Sequence, residues 1–147
     1  MPSASNEIVI NRPVADVYGF LANAENDAKW RPGVVDIRRE GGGAPGVGTR
    51  YRQGVKGPFG RRIPADVEIT EFRPDELIAF RALKGPVRPE GRYELTPSGT
   101  GTQVRFSLRA GLTGVKKLMA PMVQKTMDGE VAGLERLKRV LGSEGAL

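Results

Sequence analysis

Tyr51, Tyr93 and Glu130 are the side chains best suited to move a proton in an apolar setting. The chain has no histidine and no cysteine. That excludes an imidazole base, a Ser-His-Asp triad, a thiolate nucleophile, a disulfide and the usual zinc ligand sets. Chemistry here would rest on Asp, Glu, Lys, Tyr, Arg or ordered water, and neither a metal nor a cofactor is expected. Glu130 is the sharpest case. At about 100° per residue it falls within an apolar helical stripe, with Met119, Met122, Thr126 and Leu137 around it. A carboxylate facing such an interior costs several kcal/mol unless it is paired, hydrogen-bonded or protonated. Three resolutions stand open: the helix turns Glu130 to solvent, a strand arginine or a tyrosine hydroxyl satisfies it, or it anchors a ligand.

The elements that would position these groups follow from periodicity. "NEIVIN" reads as a first strand. Asn11 is a candidate N-cap and Pro13 a first-turn residue for a helix carrying Val14, Val17, Tyr18 and Leu21 at i, i+3, i+4, i+7 spacing. "AENDAKW" adds a second short helical turn that ends at Trp30, the only tryptophan, and Pro32-Gly33 stops it. From residue 34 the period becomes two, with short Gly/Pro turns between strands, the pattern of an antiparallel meander. "RRIPADVEITEF" reads as one strand, with Pro64 at an edge or bulge. After Thr113-Gly114 the helical period returns, and a single helix kinked near Pro121 is expected over 114–141. Its stripe is Val115, Leu118, Met119, Met122, Val123, Leu134, Leu137, Val140 and Leu141, and Gly129 and Gly133 lie on it as places for close backbone approach. Residues 142–147 read as a disordered tail.

The expected architecture is α+β: a curved antiparallel sheet of six or seven strands around a long C-terminal helix, with two short helices after the first strand. The 147 residues form one domain. Between sheet and helix the predicted lining is Tyr51, Gln53, Val67, Ile69, Tyr93, Phe106, Leu108, Met119, Met122, Val123 and Thr126, mostly apolar with a few polar tips, as in small-molecule sites.

Two other signals are weaker. "GGGAPG", residues 41–46, satisfies G-x-G-x-x-G, but a strand follows it rather than the helix a pyrophosphate needs, so it reads as a hairpin loop. The net charge of +6 raises nucleic acid as a partner. Yet the strand arginines alternate with apolar residues and lie near Asp66, Glu68, Glu90 and Glu94, without interleaved aromatics. That is a solvated sheet face with cross-strand ion pairs, and nucleic acid is disfavoured. No apolar run has the length of a membrane span, and a cytoplasmic monomer or homodimer is expected.

In this order of elements the chain resembles the START-like (SRPBCC) superfamily, in particular its bacterial polyketide cyclase/dehydrase-like branch. The resemblance runs from Ile8 to Leu141 and is carried by "INRPVADVYGFLANAENDAKWRPGVVDIRR", "GVGTRYR", "VEITEFRPDELIAFR", "GRYELTPSGTGTQVRFSL" and "GLERLKRVL". It implies the helix-grip fold, two small helices rimming a pocket mouth, and a hydrophobic ligand such as a lipid, polyketide or aromatic metabolite. Trp30 then lines that rim or plugs the core beneath it. Two alternatives accompany the binding module. One is a cyclase using Tyr51, Tyr93 or Glu130 for proton transfer. The other is a protein- or ribosome-interaction module using the basic surface.

Overall fold

The computed structural model describes residues 2–83, 87–112 and 114–144. Strand β1 (Ser3–Ile10) leads into α1 (Val14–Ala22) and a 3-10 helix, Ala24–Lys29. Strands β2 (Val34–Arg39), β3 (Arg50–Lys56), β4 (Arg62–Pro64), β5 (Val67–Arg73), β6 (Leu77–Ala82), β7 (Glu90–Ser98) and β8 (Gly101–Arg109) follow. A 3-10 helix, Gly114–Met119, then enters α2 (Ala120–Ala132), and α3 (Leu134–Glu144) closes the chain.

The sheet is antiparallel throughout, in the order β1-β8-β7-β6-β5-β3-β2, with the short β4 paired to β3 off that path. One face is apolar: Ile8, Tyr93, Leu95, Val104, Phe106 and Leu108 are buried there. Helix α2 packs on β1 and β8, and α3 on β1. Polar tethers fix them: Gln124 exchanges hydrogen bonds with the Ser3 backbone, Asn6 donates to the Val131 carbonyl and Arg12 to that of Leu141. The expected helix-grip architecture is therefore present.

The structure corrects several local expectations. Pro13 occupies the N-cap of α1 rather than its first turn, and no side chain caps that end, Asn11 included. The stretch around Pro64 is two strands, β4 and β5, because a residue without an N–H interrupts the ladder. The C-terminal helix does not kink at Pro121, which sits in the first turn of α2 where its missing N–H costs nothing. The break is at Gly133 instead. A Cβ there would lie 3.0 Å from the Glu130 carbonyl oxygen, a tight contact with the preceding turn, while Pro32 at 3.5 Å and the Trp30 ring at 3.9 Å would be in ordinary contact. Gly129 faces open space. The buried stripe runs through Val123, Met127, Val131, Leu134, Leu137 and Leu141. Val115, expected on it, lies outside the described side chains. Helix α3 continues to Glu144, and the rest of the predicted tail, 145–147, lies outside the described residues.

Gly101, by contrast, is forced by close approach. A Cβ at Gly101 would lie 2.5 Å from the Ile10 carbonyl oxygen, which is backbone and cannot swing away. Gly101→Ala is therefore expected to destabilise the fold by about 1–3 kcal/mol, as overpacking does. A lower urea midpoint at unchanged m-value is the measurement that checks it.

Candidate functional site

The turn between the Ala24–Lys29 helix and β2 carries two residues of opposite character. Trp30 is completely buried and meets Tyr93 and Phe106 edge-on at 6.1 Å each, while those two rings stack at 4.6 Å. Each such aromatic pair contributes about 0.5–1.5 kcal/mol beyond the area it buries. Trp30 is thus a core plug beneath α2.

Arg31, next in sequence, is also buried. Its guanidinium donates to Asp27 at 3.1 Å, to Gln53 Oε1 at 3.3 Å and, through Nε, to Glu130 at 3.1 Å. Asp27 and Arg31 share one helical turn, so their pairing is local. Glu130 comes from α2, 99 residues away in sequence. The open question about Glu130 is thereby answered: an arginine satisfies it, supplied by a turn and not by a strand. Gly33 makes room, since a Cβ there would lie 3.0 Å from Glu130 Oε1.

Burial shapes the electrostatics of the cluster. It pushes the Asp27 carboxyl up to about 6, although Arg31 pulls the other way. It opposes the charge on Arg31, but Glu130, Tyr93 and Asp27 together outweigh that and hold the guanidinium charged. It raises the Tyr93 hydroxyl well above its ordinary range, with Asp27 adding to the effect. Burial likewise raises Tyr51.

Among the described residues, three buried polar atoms here have no partner in good hydrogen-bond geometry: Trp30 Nε1, Tyr51 Oη and Tyr93 Oη. Trp30 nonetheless lies near enough to Asp27 to influence that carboxyl, and the Ala24 backbone near enough to Tyr51 to influence that hydroxyl. Tyr93 also lines an interior cavity of about 20 Å³, together with Leu21, Ala24, Asp27, Arg31, Val67, Ile69, Ile78 and Phe80. The cavity lies under α1 and the first 3-10 helix, is little larger than one water, and has a charged wall formed by Asp27 and Arg31.

Of the residues expected to line the interior, Trp30, Tyr51, Gln53, Val67, Ile69, Tyr93, Phe106, Leu108 and Val123 are buried. Only Val67, Ile69 and Tyr93 among them reach the cavity. Met122 and Thr126 point outward: Met122 is 58% exposed and the exposed Thr126 hydroxyl donates to the Met122 carbonyl. Met119 is half-buried. The cause is phase. The helix begins at Ala120, and Arg31 draws Glu130 inward, which sets Val123, Met127 and Val131 on the buried side. Asp27 and Arg31 were missed by sequence reasoning. The available signal was an i,i+4 acid–base pair flanking a tryptophan inside a helical turn too short to need surface charge.

A curled antiparallel sheet holding a C-terminal helix against one face, with two small helices over an interior cavity, defines a helix-grip protein. The chain belongs to the polyketide cyclase/dehydrase and lipid transport family, whose sequence model matches residues 1–142. No curated protein matches it. Among solved structures it is similar to a protein from Thermus thermophilus, with 26% identity, 97% of this chain and 99% of that one covered, and a TM-score of 0.78. A START superfamily protein from Mycobacterium smegmatis shares the fold at 16% identity, covering 95% and 98% of the two chains, with a TM-score of 0.69. So does the di-domain ARO/CYC BexL of the BE-7585A biosynthetic pathway, at 21% identity and a TM-score of 0.68; 91% of this chain aligns with 45% of that one.

Two outcomes follow from the cluster. Arg31→Met strands two carboxylates in a dry interior and is expected to cost about 3–5 kcal/mol, against about 1–3 kcal/mol for Glu130→Gln, which keeps one acceptor. Paired chemical denaturations check that order. The second outcome concerns pH. A carboxyl whose folded pKa, about 6, lies above its ordinary 3.8 binds protons more tightly when folded. Its contribution to stability therefore improves as pH falls from about 7 to 4. The stability of the wild type relative to Asp27→Asn should rise over that window, and a flat difference would contradict the assignment.

Proposed function

We propose that the protein binds a hydrophobic small molecule carrying at least one hydrogen-bonding oxygen, in the interior under α1 and the first 3-10 helix. The observation that carries this reading is the unpartnered Tyr93 hydroxyl. Leaving a buried hydroxyl unpaired costs about 1–3 kcal/mol, and a phenylalanine would fill the same space without that cost. A ligand oxygen would satisfy it, and the apolar walls Leu21, Val67, Ile69 and Ile78 would take the carbon skeleton. Membership in a family described by polyketide cyclases and lipid transport supports the same class of ligand. Sites for such molecules have volumes of about 300–1,000 Å³. Binding therefore requires the interior to open well beyond 20 Å³, by movement of the small helices over the sheet.

A second reading, turnover of the bound molecule as in a cyclase, is favoured by one observation. Asp27 lies on the cavity wall with a pKa of about 6, close to the range in which an acid–base catalyst works at neutral pH. Tyr93 would serve beside it as proton donor. Glu130 is committed to Arg31 and acts on this reading only as a positioning residue.

Tyr93→Phe separates function from structure. Without the orphaned hydroxyl, the melting temperature is expected to hold or rise, while affinity for an oxygen-bearing apolar probe such as 1-naphthol falls about five- to tenfold, one hydrogen bond's worth. Titration of wild type and variant with 1-naphthol by fluorescence measures this. Unchanged affinity would move the ligand elsewhere, and a large fall in melting temperature would make the hydroxyl structural.

A further inference from the structure

We propose that one end of the molecule docks on an anionic lipid bilayer, with Phe59 as the side chain that enters the membrane interface. Phe59 stands at the tip between β3 and β4 and is 101% exposed, as open as an isolated residue. Its φ of 59° lies in the left-handed region, which a bulky side chain occupies only at a cost. Neither packing nor backbone preference accounts for a phenylalanine there, and a glycine would suit the turn better. The turn itself is well built: Gly57 N donates to the Arg61 carbonyl at 2.7 Å, and Gly60 N donates to that of Gly57 at 3.2 Å. The tip thus displays an aromatic ring on a hydrogen-bonded support.

Charge selects the partner. From Gly54 to Ala65 the sequence holds three cations, Lys56, Arg61 and Arg62, and no carboxylate. Arg62 is engaged by Asp36 at 2.8 Å, whereas Lys56 and Arg61 have no ion pair among the described residues. The alternating strand directions bring the end of β3 to the same end of the sheet as the start of β1. Gln124, bonded to Ser3, brings the entry to α2 there as well. That entry displays Leu118, 85% exposed, and from Gly111 to Met127 it too has three lysines and no acid. Isolated apolar side chains, Phe59 and Leu118, raised beside Lys56 and Arg61 match a bilayer interface. The rings and aliphatic chains enter the acyl boundary while Lys and Arg stay with the phosphates. No helix among the described residues is long and apolar enough to cross a membrane, so the contact would be peripheral.

Cosedimentation with vesicles of equal parts phosphatidylcholine and phosphatidylglycerol, against phosphatidylcholine alone, tests this. The wild type is expected to bind only the anionic vesicles, and less as salt rises. Phe59→Gly, which relieves the left-handed strain, should lower the bound fraction at least about fivefold while the melting temperature holds or rises. The double variant Lys56→Glu/Arg61→Glu should bind at least about fivefold less, with far-UV circular dichroism unchanged. Absence of binding to anionic vesicles, equal binding to neutral ones, or binding untouched by these variants would overturn the proposal. So would a solution dimer that Phe59→Gly dissolves, which would make the tip a contact between copies, or salt-sensitive binding to RNA in place of vesicles.

Discussion

A buried guanidinium cannot be left without carboxylates, and that constraint organises this molecule. Arg31 is charged, almost entirely removed from water and gripped by Asp27 from its own turn and Glu130 from α2. Replacing water around a charge costs several kcal/mol, which only well-placed partners offset. The three groups therefore lock together the first 3-10 helix, the turn before β2 and the last turn of α2. Gln53 extends the lock to β3. Once Glu130 is drawn inward, the rotation of α2 is fixed, and so is the set of residues it buries. The pass of Gly133 over Trp30 and Pro32 lies within one turn of the same anchor.

The aromatic cluster and the charged one are neighbours with opposite demands. Trp30, Tyr93 and Phe106 fill the space beneath α2, and the cavity beside them, under α1 and the first 3-10 helix, is only about 20 Å³. Yet the cluster includes unpartnered polar atoms that plain hydrophobic packing would not select. A stable core and a ligand site make different use of the same residues. Hydroxyls without partners reduce stability, and under the proposed function a ligand oxygen would pair with them. The apolar wall, the orphaned Tyr93 hydroxyl and the high-pKa Asp27 converge on one small region. Its cover is only α1 and a single short 3-10 helix, which is where an opening would cost least packing.

The outer face follows different rules. Arg50 and Arg81 share Glu68, Arg105 pairs with Glu7 and Arg109 with Glu90, so much of the basic excess on the strands is neutralised across the sheet. These exposed pairs contribute little to stability each. Their effect is on where charge remains. Lys56 and Arg61 beside Phe59, and the lysines at the entry to α2, make that end electrostatically unlike the paired strand face.

The order of elements was legible in the sequence because it depends on local periodicity. The alternation in "VRFSL", the Pro/Gly turns and the helical spacing of Val14, Val17, Tyr18 and Leu21 each act over a few residues. Together with the resemblance to a known superfamily they pointed to the helix-grip fold, and the total lack of histidine and cysteine bounded the chemistry. What tertiary structure alone decided was phase and partnership. Whether α2 turns Met122 or Met127 inward depends on where Glu130 finds a counter-charge, and its partner lies 99 residues away in the chain. A stripe read from hydrophobicity weighs both methionines alike. The pairing of Arg31 with Asp27 was local and visible, but its burial was not, because a charged pair on a short turn looks like solvent-facing surface until the sheet and α2 close over it.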